Sequence, residues 1–204
     1  MKIYTFYTET HKILHSYFIE SLKQTNENLI PISDYFEQEC DGSFMSNGWN
    51  NTMTKKVDQI INACKENDIF IHSDCDVFFK RDIYNDIIEE LSDYDIAFQD
   101  DSVAGFCMGF FICKPSQIII ELFEDVKKNI NVYGNDQIAL NSIIQKYPIK
   151  YKKLSQKFFS YGQLNKGVWN NEDFSFPENI SLIHANWTIG TENKLRLVEK
   201  LKNM

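Results

Sequence analysis

Apolar positions along the chain follow two periods, and their succession predicts alternating strands and helices. Ile3–Tyr7 reads as a first strand. Lys12–Gln24 follows with Ile13, Leu14, Tyr17, Phe18 and Leu22 at helical spacing. Asn28–Ser33 reads as a second strand, and Pro31, which cannot donate to a ladder, points to a sheet edge. A loop with Gly42 and Gly48 leads into a helix near 50–66 carrying Met53, Val57, Ile60, Ile61 and Cys64 on one face. Ile69–Ser73 is short and nearly all apolar, as a strand buried on both faces should be. Asp82–Leu91 is a helix with Ile83, Ile87, Ile88 and Leu91 inward. The second half is less regular. Ile96–Gln99 and Met108–Lys114 read as strands, Ser116–Ile130 and Asn135–Tyr147 as helices, and Ile149–Lys153 and Ser181–His184 as short strands. Thr191 is expected to cap a helix that runs to Lys202. This alternation predicts an α/β fold with a mainly parallel central sheet flanked by helices. Such sheets bind ligands beyond the carboxyl ends of their strands.

Composition narrows the picture. The 204 residues, 43% hydrophobic and 14% aromatic, suit one domain over 1–204, without repeats or linkers. A formal charge of -8 and a pI near 5.0 argue against nucleic acid as a partner, since the lysines pair only in short groups such as Lys55-Lys56 and Lys127-Lys128. Cys40, Cys64, Cys75, Cys107 and Cys113 form no CxxC pair or zinc spacing. With no leader before the first strand, they suggest reduced thiols in a cytoplasm. No apolar run approaches a transmembrane span, so the expectation is a soluble protein, at most peripheral to a membrane. Asn- and Ile-rich, Pro-poor usage fits an AT-rich microbial or viral genome, in the latter case a protein of the host cytoplasm.

Asp74-Cys75-Asp76 directly follows the apolar run Ile69–Ser73. Residues two apart in extended chain face one side, so both carboxylates converge at the carboxyl edge of the sheet. A hard divalent cation takes oxygen ligands there and keeps positions open for a diphosphate. An acidic pair is common in an acidic protein, and Asp93-Tyr94-Asp95 is a second one. That pair precedes its strand, at the wrong edge for a ligand, and reads as a helix end.

Ser73-Asp74-Cys75-Asp76-Val77-Phe78-Phe79 resembles the "sDxDvvf" segment of GT-A glycosyltransferases, above all the nucleotide-diphospho-sugar transferases and the glycogenin-like family. Haloacid-dehalogenase phosphatases also put two aspartates after a strand. They want Thr or Val where Phe78 stands, and they use the first strand. Three further segments match in order. Gly109–Cys113 resembles the family's "NsGffv" strand, with Met108 in place of the usual Asn or Ser. Asn135–Asn141 is similar to the "DQdaLN" helix start. His184, Gly190 and Lys194 resemble the C-terminal "HxxG…K" element, with a longer gap between His184 and Gly190. Each has a bland alternative: a close-packed glycine, an Asn135 cap with Asp136 on the helix dipole, a structural histidine. Their common order carries the resemblance.

The resemblance implies a GT-A, Rossmann-like fold and a glycosyltransferase using Mn²⁺ (or Mg²⁺) and a nucleotide-sugar donor, a UDP-sugar by expectation. Metal ligands would be Asp74, Asp76 and His184. Donor-binding residues would be Thr8, Lys56, Asp74, Gly190 and Lys194. Asp136 and Gln137 would sit beside the acceptor and the anomeric carbon, and Asp101, with Asp100, would meet acceptor hydroxyls or act as base. The acceptor would be a glycan or another hydroxyl compound, and a close relation to glycogenin-like enzymes would imply retention. Two alternatives share the fold. Sugar-nucleotide nucleotidyltransferases carry a glycine-rich basic loop after the first strand, which Thr8–Lys12 is not. A non-catalytic sugar-nucleotide-binding module would have lost ligands that stand here. Trp49, Trp169 and Trp187 could stack on carbohydrate or pack internally. Donor sugar, acceptor and oligomeric state are not written in the sequence.

Overall fold

The structure, a computed structural model, describes residues 1–37 and 48–202. Cys40 and Gly42 lie outside the described residues. In chain order the elements are β1 (Lys2–Tyr7), α1 (Lys12–Thr25), β2 (Ile30–Tyr35), α2 (Trp49–Lys65), β3 (Phe70–Ser73), β4 (Val77–Phe79), α3 (Tyr84–Leu91), β5 (Ile96–Asp100) and β6 (Phe106–Cys113). Then come α4 (Gln117–Tyr133), α5 (Asp136–Ile143), β7 (Tyr151–Lys153), β8 (Phe158–Ser160), β9 (Leu182–His184) and α6 (Thr191–Lys202).

Six strands form a sheet in the order β2-β1-β3-β6-β5-β7. Strands β2, β1, β3, β5 and β7 point one way, and β6 runs antiparallel between β3 and β5. The fold is therefore mixed α/β with a mostly parallel sheet, and β2 with its Pro31 lies at the edge. The carboxyl ends of β1, β3 and β5 share one rim, and Thr8, Asp74 and Asp101 are the residues that follow them there.

Strand β6 is buried on both faces and divides the core, with Met108 carried to the side of Phe111 where the pairing with β5 shifts register. Met108, Phe111 and Cys113 pack with α2, α4 and α5 through Val57, Ile60 and Phe123. Phe110 and Ile112 pack on the other side with Phe18, Leu22 and Ile87 from α1 and α3.

A second sheet, β4-β9-β8, stands beside the first. Its β4 and β8 were not expected, because runs of three residues are too short to show a period. Val77 pairs with His184, and the Ala185 N–H donates to the Asp76 carbonyl at 3.0 Å. This small sheet delivers the end of β9 to the acidic segment after β3.

Other boundaries move for local reasons. Strand β2 starts at Ile30 because a turn closed by Leu29 N–H to Asn26 C=O holds the preceding residues. Strand β6 starts at Phe106, since β5 keeps pairing through a register shift at Phe98/Gln99. Helix α5 stops at Ile143 and tightens into a 3-10 turn, Ile144–Lys146. Tyr147, ahead of Pro148, is extended, as a residue before proline prefers. His11 closes a 3-10 turn, Glu9–His11, rather than lying in α1. Thr191 does not cap α6; its hydroxyl donates to the Thr10 carbonyl and fastens the helix start to the turn after β1.

Candidate active site

Asp74, Asp76 and His184 meet where β3 and β9 end, each offering a ligand atom within 4.8 Å of the others. Asp76 is 5% exposed and His184 equally buried. Asp74 Oδ1 and Asp76 Oδ1 are buried and accept no hydrogen bond. Their close neighbours are cationic or imidazole nitrogens: Lys56 Nζ at 2.9 Å and His72 Nε2 at 3.6 Å from Asp74 Oδ1, and His184 Nε2 at 3.2 Å from Asp76 Oδ1. Two hard oxygens and one imidazole nitrogen, drawn together here and balanced by cationic neighbours, fit a divalent cation of the manganese or magnesium kind.

The histidine is aimed by its second neighbour. Gln99 Nε2 donates to the carbonyls of Phe158 and Phe159 at 3.2 and 3.1 Å, which turns Gln99 Oε1 toward His184. Oε1 accepts from Nδ1 at 2.8 Å, so Nε2 is the nitrogen presented to the aspartates. Burial opposes charge on His184, but Asp76 outweighs it and holds the imidazole well above its ordinary pKa.

Glycine makes the convergence possible. A Cβ on Gly109 would lie 2.3 Å from His184 Cε1 and 2.8 Å from Asp74 Oδ2. The Gly109 carbonyl accepts from the Asp74 N–H at 2.7 Å, so backbone from β6 forms the wall of the site.

Two lysines offset the carboxylates. Lys56, from α2, is 3% exposed and lies 2.9 Å from Asp74 Oδ1 and 3.1 Å from Asp136 Oδ2. Burial favours its neutral form, yet Asp136 and Asp74 prevail and keep it charged, raising its pKa. Burial likewise opposes ionisation of Asp74, and Lys56 outweighs it, pushing that pKa down. Lys194, on the first turns of α6, hydrogen-bonds Asp76 Oδ2. Asp76 is held well below the carboxylate range, with Lys194 and then His184 overcoming its burial.

A second network lies on the β5 side. Asp101, 3% exposed, accepts at Oδ2 from Gln137 Nε2 at 2.8 Å. At Oδ1 it accepts from Asn186 Nδ2 at 2.8 Å and Trp187 Nε1 at 2.9 Å. Gln137 and Asp136 open α5, where the Asn135 side chain accepts from the N–H groups of Gln137 and Ile138. The cap and the two candidate residues therefore occupy one turn.

The structure brings Asp74, Asp76, His184, Lys56, Lys194 and Asp136 into one cluster, which Asp101 and Gln137 adjoin. Thr8 is buried at the end of β1, its hydroxyl 3.3 Å from His11 Nδ1, with α6 fastened over this turn. Gly190 has φ +80° and open space around it, and its carbonyl accepts the Lys194 N–H as α6 begins. Asp100 faces away into an ion pair with Lys153 at 2.6 Å. Lys55 reaches the Glu37 carbonyl, while its neighbour Lys56 enters the site. Sequence reasoning passed over Gln99, His72, Asn186 and Gly162. A polar Gln99 directly after the apolar run Ile96–Phe98, still on the strand, was the available signal, since a buried polar group needs a reason.

A sequence model of the family described as nucleotide-diphospho-sugar transferase matches residues 18–198. The chain belongs to the nucleotide-diphospho-sugar transferase family. Members of this family are glycosyltransferases, and solved glycosyltransferase structures share the fold. A glycosyltransferase involved in the glycosylation of the major capsid of PBCV-1 superposes with a TM-score of 0.66 at 12% identity, covering 98% of each chain. The apo-form glycosyltransferase GlyE of Streptococcus pneumoniae TIGR4 gives 0.62 at 14% identity, over 100% of this chain and 60% of GlyE. The galactosyltransferase LgtC, solved with donor and acceptor sugar analogs, gives 0.57 at 11% identity, over 100% of this chain and 96% of LgtC. No curated protein sequence matches the chain. Among the described residues, no helix is long and apolar enough to cross a membrane.

Proposed function

We propose that this transferase, a single domain over 1–204, moves a sugar from a UDP-sugar to a glycan or other hydroxyl acceptor, with a divalent cation bound by Asp74, Asp76 and His184. The carrying observation is the convergence of those three ligand atoms at the sheet rim, with two buried oxygens short of hydrogen bonds. The cation, Mn²⁺ or Mg²⁺, neutralises charge on the departing nucleotide diphosphate when bound.

The chain's own residues supply the rest. Lys194 lies beside Asp76 and would contact the diphosphate as the glycosidic bond breaks. Thr8 and Gly190 flank the turn that α6 covers, on the side of the base and ribose. Lys56 holds Asp74 ionised and, at 3.1 Å, keeps the Asp136 carboxyl in place, so electrostatic preorganisation does not depend on substrate. Asp136 would face positive charge developing at the anomeric carbon, with Gln137 beside it. Asp101 has both carboxylate oxygens engaged, Oδ2 by Gln137 and Oδ1 by Asn186 and Trp187. It acts as a positioning residue for them rather than as the base. Retention of configuration is expected on family grounds, and NMR of the product anomer tests it. The four described cysteines are buried and unpaired, which suits a cytoplasmic enzyme.

Nucleotide release from a panel of nucleotide sugars with Mn²⁺ tests the reading. Release from one UDP-sugar, lost with EDTA and in Asp76→Asn, is expected. Release that survives both would remove the metal site. Absence of any metal-dependent UDP binding, by calorimetry on the same samples, would remove the glycosyltransferase reading itself.

A further inference from the structure

Trp187 combines three features that packing does not require together. It is 39% exposed, unlike Trp169, which is fully buried. Its backbone has φ +53°, in the left-handed region that side chains other than glycine avoid. Its indole N–H nonetheless donates to the buried carboxylate Asp101 at 2.9 Å, beside the amide of Asn186 on the same oxygen.

The ring is also seated. Gly162, in the 3-10 turn Tyr161–Leu164, lies directly beneath it. A Cβ there would come within 2.7 Å of Trp187 Cδ1 and Nε1 and 1.9 Å of Asp101 Oδ1. The Gly162 N–H donates to Asn186 Oδ1 at 3.1 Å, and the Trp169 N–H donates to the Trp187 carbonyl at 2.8 Å. A strained backbone held by this many groups fixes a half-open aromatic surface three residues beyond His184. Strain that persists under such over-determination clusters at functional sites.

Its place selects the ligand. Thr8 follows β1, whereas Asp101 follows β5, with β3 and β6 between them. Three inter-strand steps set Thr8 and Asp101 about 14 Å apart along the rim. Trp187 is therefore on the far side of the Asp74–Asp76–His184 cluster from the nucleotide end, where the group that receives the sugar must arrive. The Asn186 amide shares Asp101 Oδ1 with the indole N–H, and Gln137 holds the other carboxylate oxygen. A fixed, half-exposed indole face next to such polar groups is a surface that takes the C–H face of a pyranose.

Resting on the glycosyl-transfer reading above, we propose that Trp187, seated on Gly162 and tethered by Asp101, is the stacking platform for a pyranose ring of the acceptor, which is thus a carbohydrate rather than a simple alcohol or a protein hydroxyl alone. The residue determines acceptor class, not donor choice.

Saturation-transfer NMR on the full chain tests this, with Mg²⁺ and UDP present and methyl pyranosides and simple disaccharides as probes. Saturation should reach the ring protons of at least one saccharide. Trp187→Gly, which also relieves the left-handed backbone, should weaken that saccharide about tenfold, in keeping with the loss of one aromatic contact. Trp187→Phe should keep most of the signal, and Gly162→Ala should lose it by dislodging the ring while leaving Trp187 in the sequence. UDP affinity, measured by calorimetry, should stay unchanged in all three. Undiminished saccharide signals in Trp187→Gly would overturn the platform, as would no signal from any saccharide in a wild-type protein that binds UDP. Failure of the wild type to bind UDP would instead sink the donor reading on which the platform rests.

Discussion

Asp74 and Asp76 are the most visible residues of the site, but their usefulness depends on neighbours with no motif of their own. Gln99 is one. Its amide is pinned by two carbonyls of β8 and leaves His184 Nε2 pointing at the aspartates. Removing a partner of this kind costs metal sites about 10- to 100-fold in affinity. Gln99→Ala should therefore weaken Mn²⁺ binding by that factor in calorimetry, with the circular dichroism spectrum unchanged; full affinity would show that the histidine is aimed by other means. Gly109→Ala should be more severe, because its methyl group would occupy the space of His184 Cε1 and Asp74 Oδ2. Loss of Mn²⁺ binding in a folded protein is the expected outcome. At this scale the sequence was legible wherever chemistry is rare, as with two acids after an apolar strand. It was illegible where an ordinary glutamine, histidine or glycine acquires its role from a residue 50 to 85 positions away. Gln99, whose Oε1 meets His184 85 positions on, is the clearest such case. His72, buried 3.6 Å from Asp74 with neither ring nitrogen hydrogen-bonded, is a local one that a strand histidine does not announce.

Elements were read well where their period had room to repeat. Helices α1, α2 and α4 and the apolar strands β1, β3 and β6 were all recognisable, whereas β4 and β8, three residues each, exist only through pairing with β9. The connections that place such short elements rely on individual polar groups. Asn26, 1% exposed at the end of α1, accepts from the Ile83 N–H at 2.8 Å and donates to the Arg81 carbonyl at 3.2 Å. Asn26→Ala would leave that buried N–H unpaired, at a cost of about 1–3 kcal/mol. Urea denaturation should show that loss, and a change under ~0.5 kcal/mol would mean water replaces the amide. Glu90 ties α3 to β7 and the loop after it through Lys152 and the Ser155 N–H. Burial opposes its ionisation, but these partners lower its pKa. Its contribution is thus present at neutral pH and lost as pH falls through the carboxylate range. Wild type and Glu90→Gln should differ in melting temperature at pH 7 and converge toward pH 3.

For the whole molecule, the relevant balance is between a formal charge of -8 and a site that must accept a nucleotide diphosphate. The fold concentrates compensation where it is needed. Lys56 and Lys194 are both drawn into the carboxylate cluster and held charged there, although burial disfavours it. Lysines such as Lys127, Lys128 and Lys200 instead pair with acids on the surface, where such contacts are worth little. A cation bound by Asp74, Asp76 and His184 would join β3 to β9, and so would bridge the central sheet and the small one. Because the unfolded chain cannot assemble those ligands, binding should appear as stability of the entire fold. At a free concentration a hundredfold above the dissociation constant, the gain is about 2.7 kcal/mol. For a chain of this size that raises the melting temperature by roughly 5–10 °C. Thermal unfolding with Mn²⁺ should show the rise, and EDTA should reverse it. UDP should add a further increment only when the metal is present, since the two ligands would share a site and their coupling is reciprocal. Asp76→Asn should abolish both increments. An equal rise in that variant would place the ion elsewhere on this acidic surface, and a UDP increment without metal would mean that Lys194 and Lys56 alone hold the diphosphate.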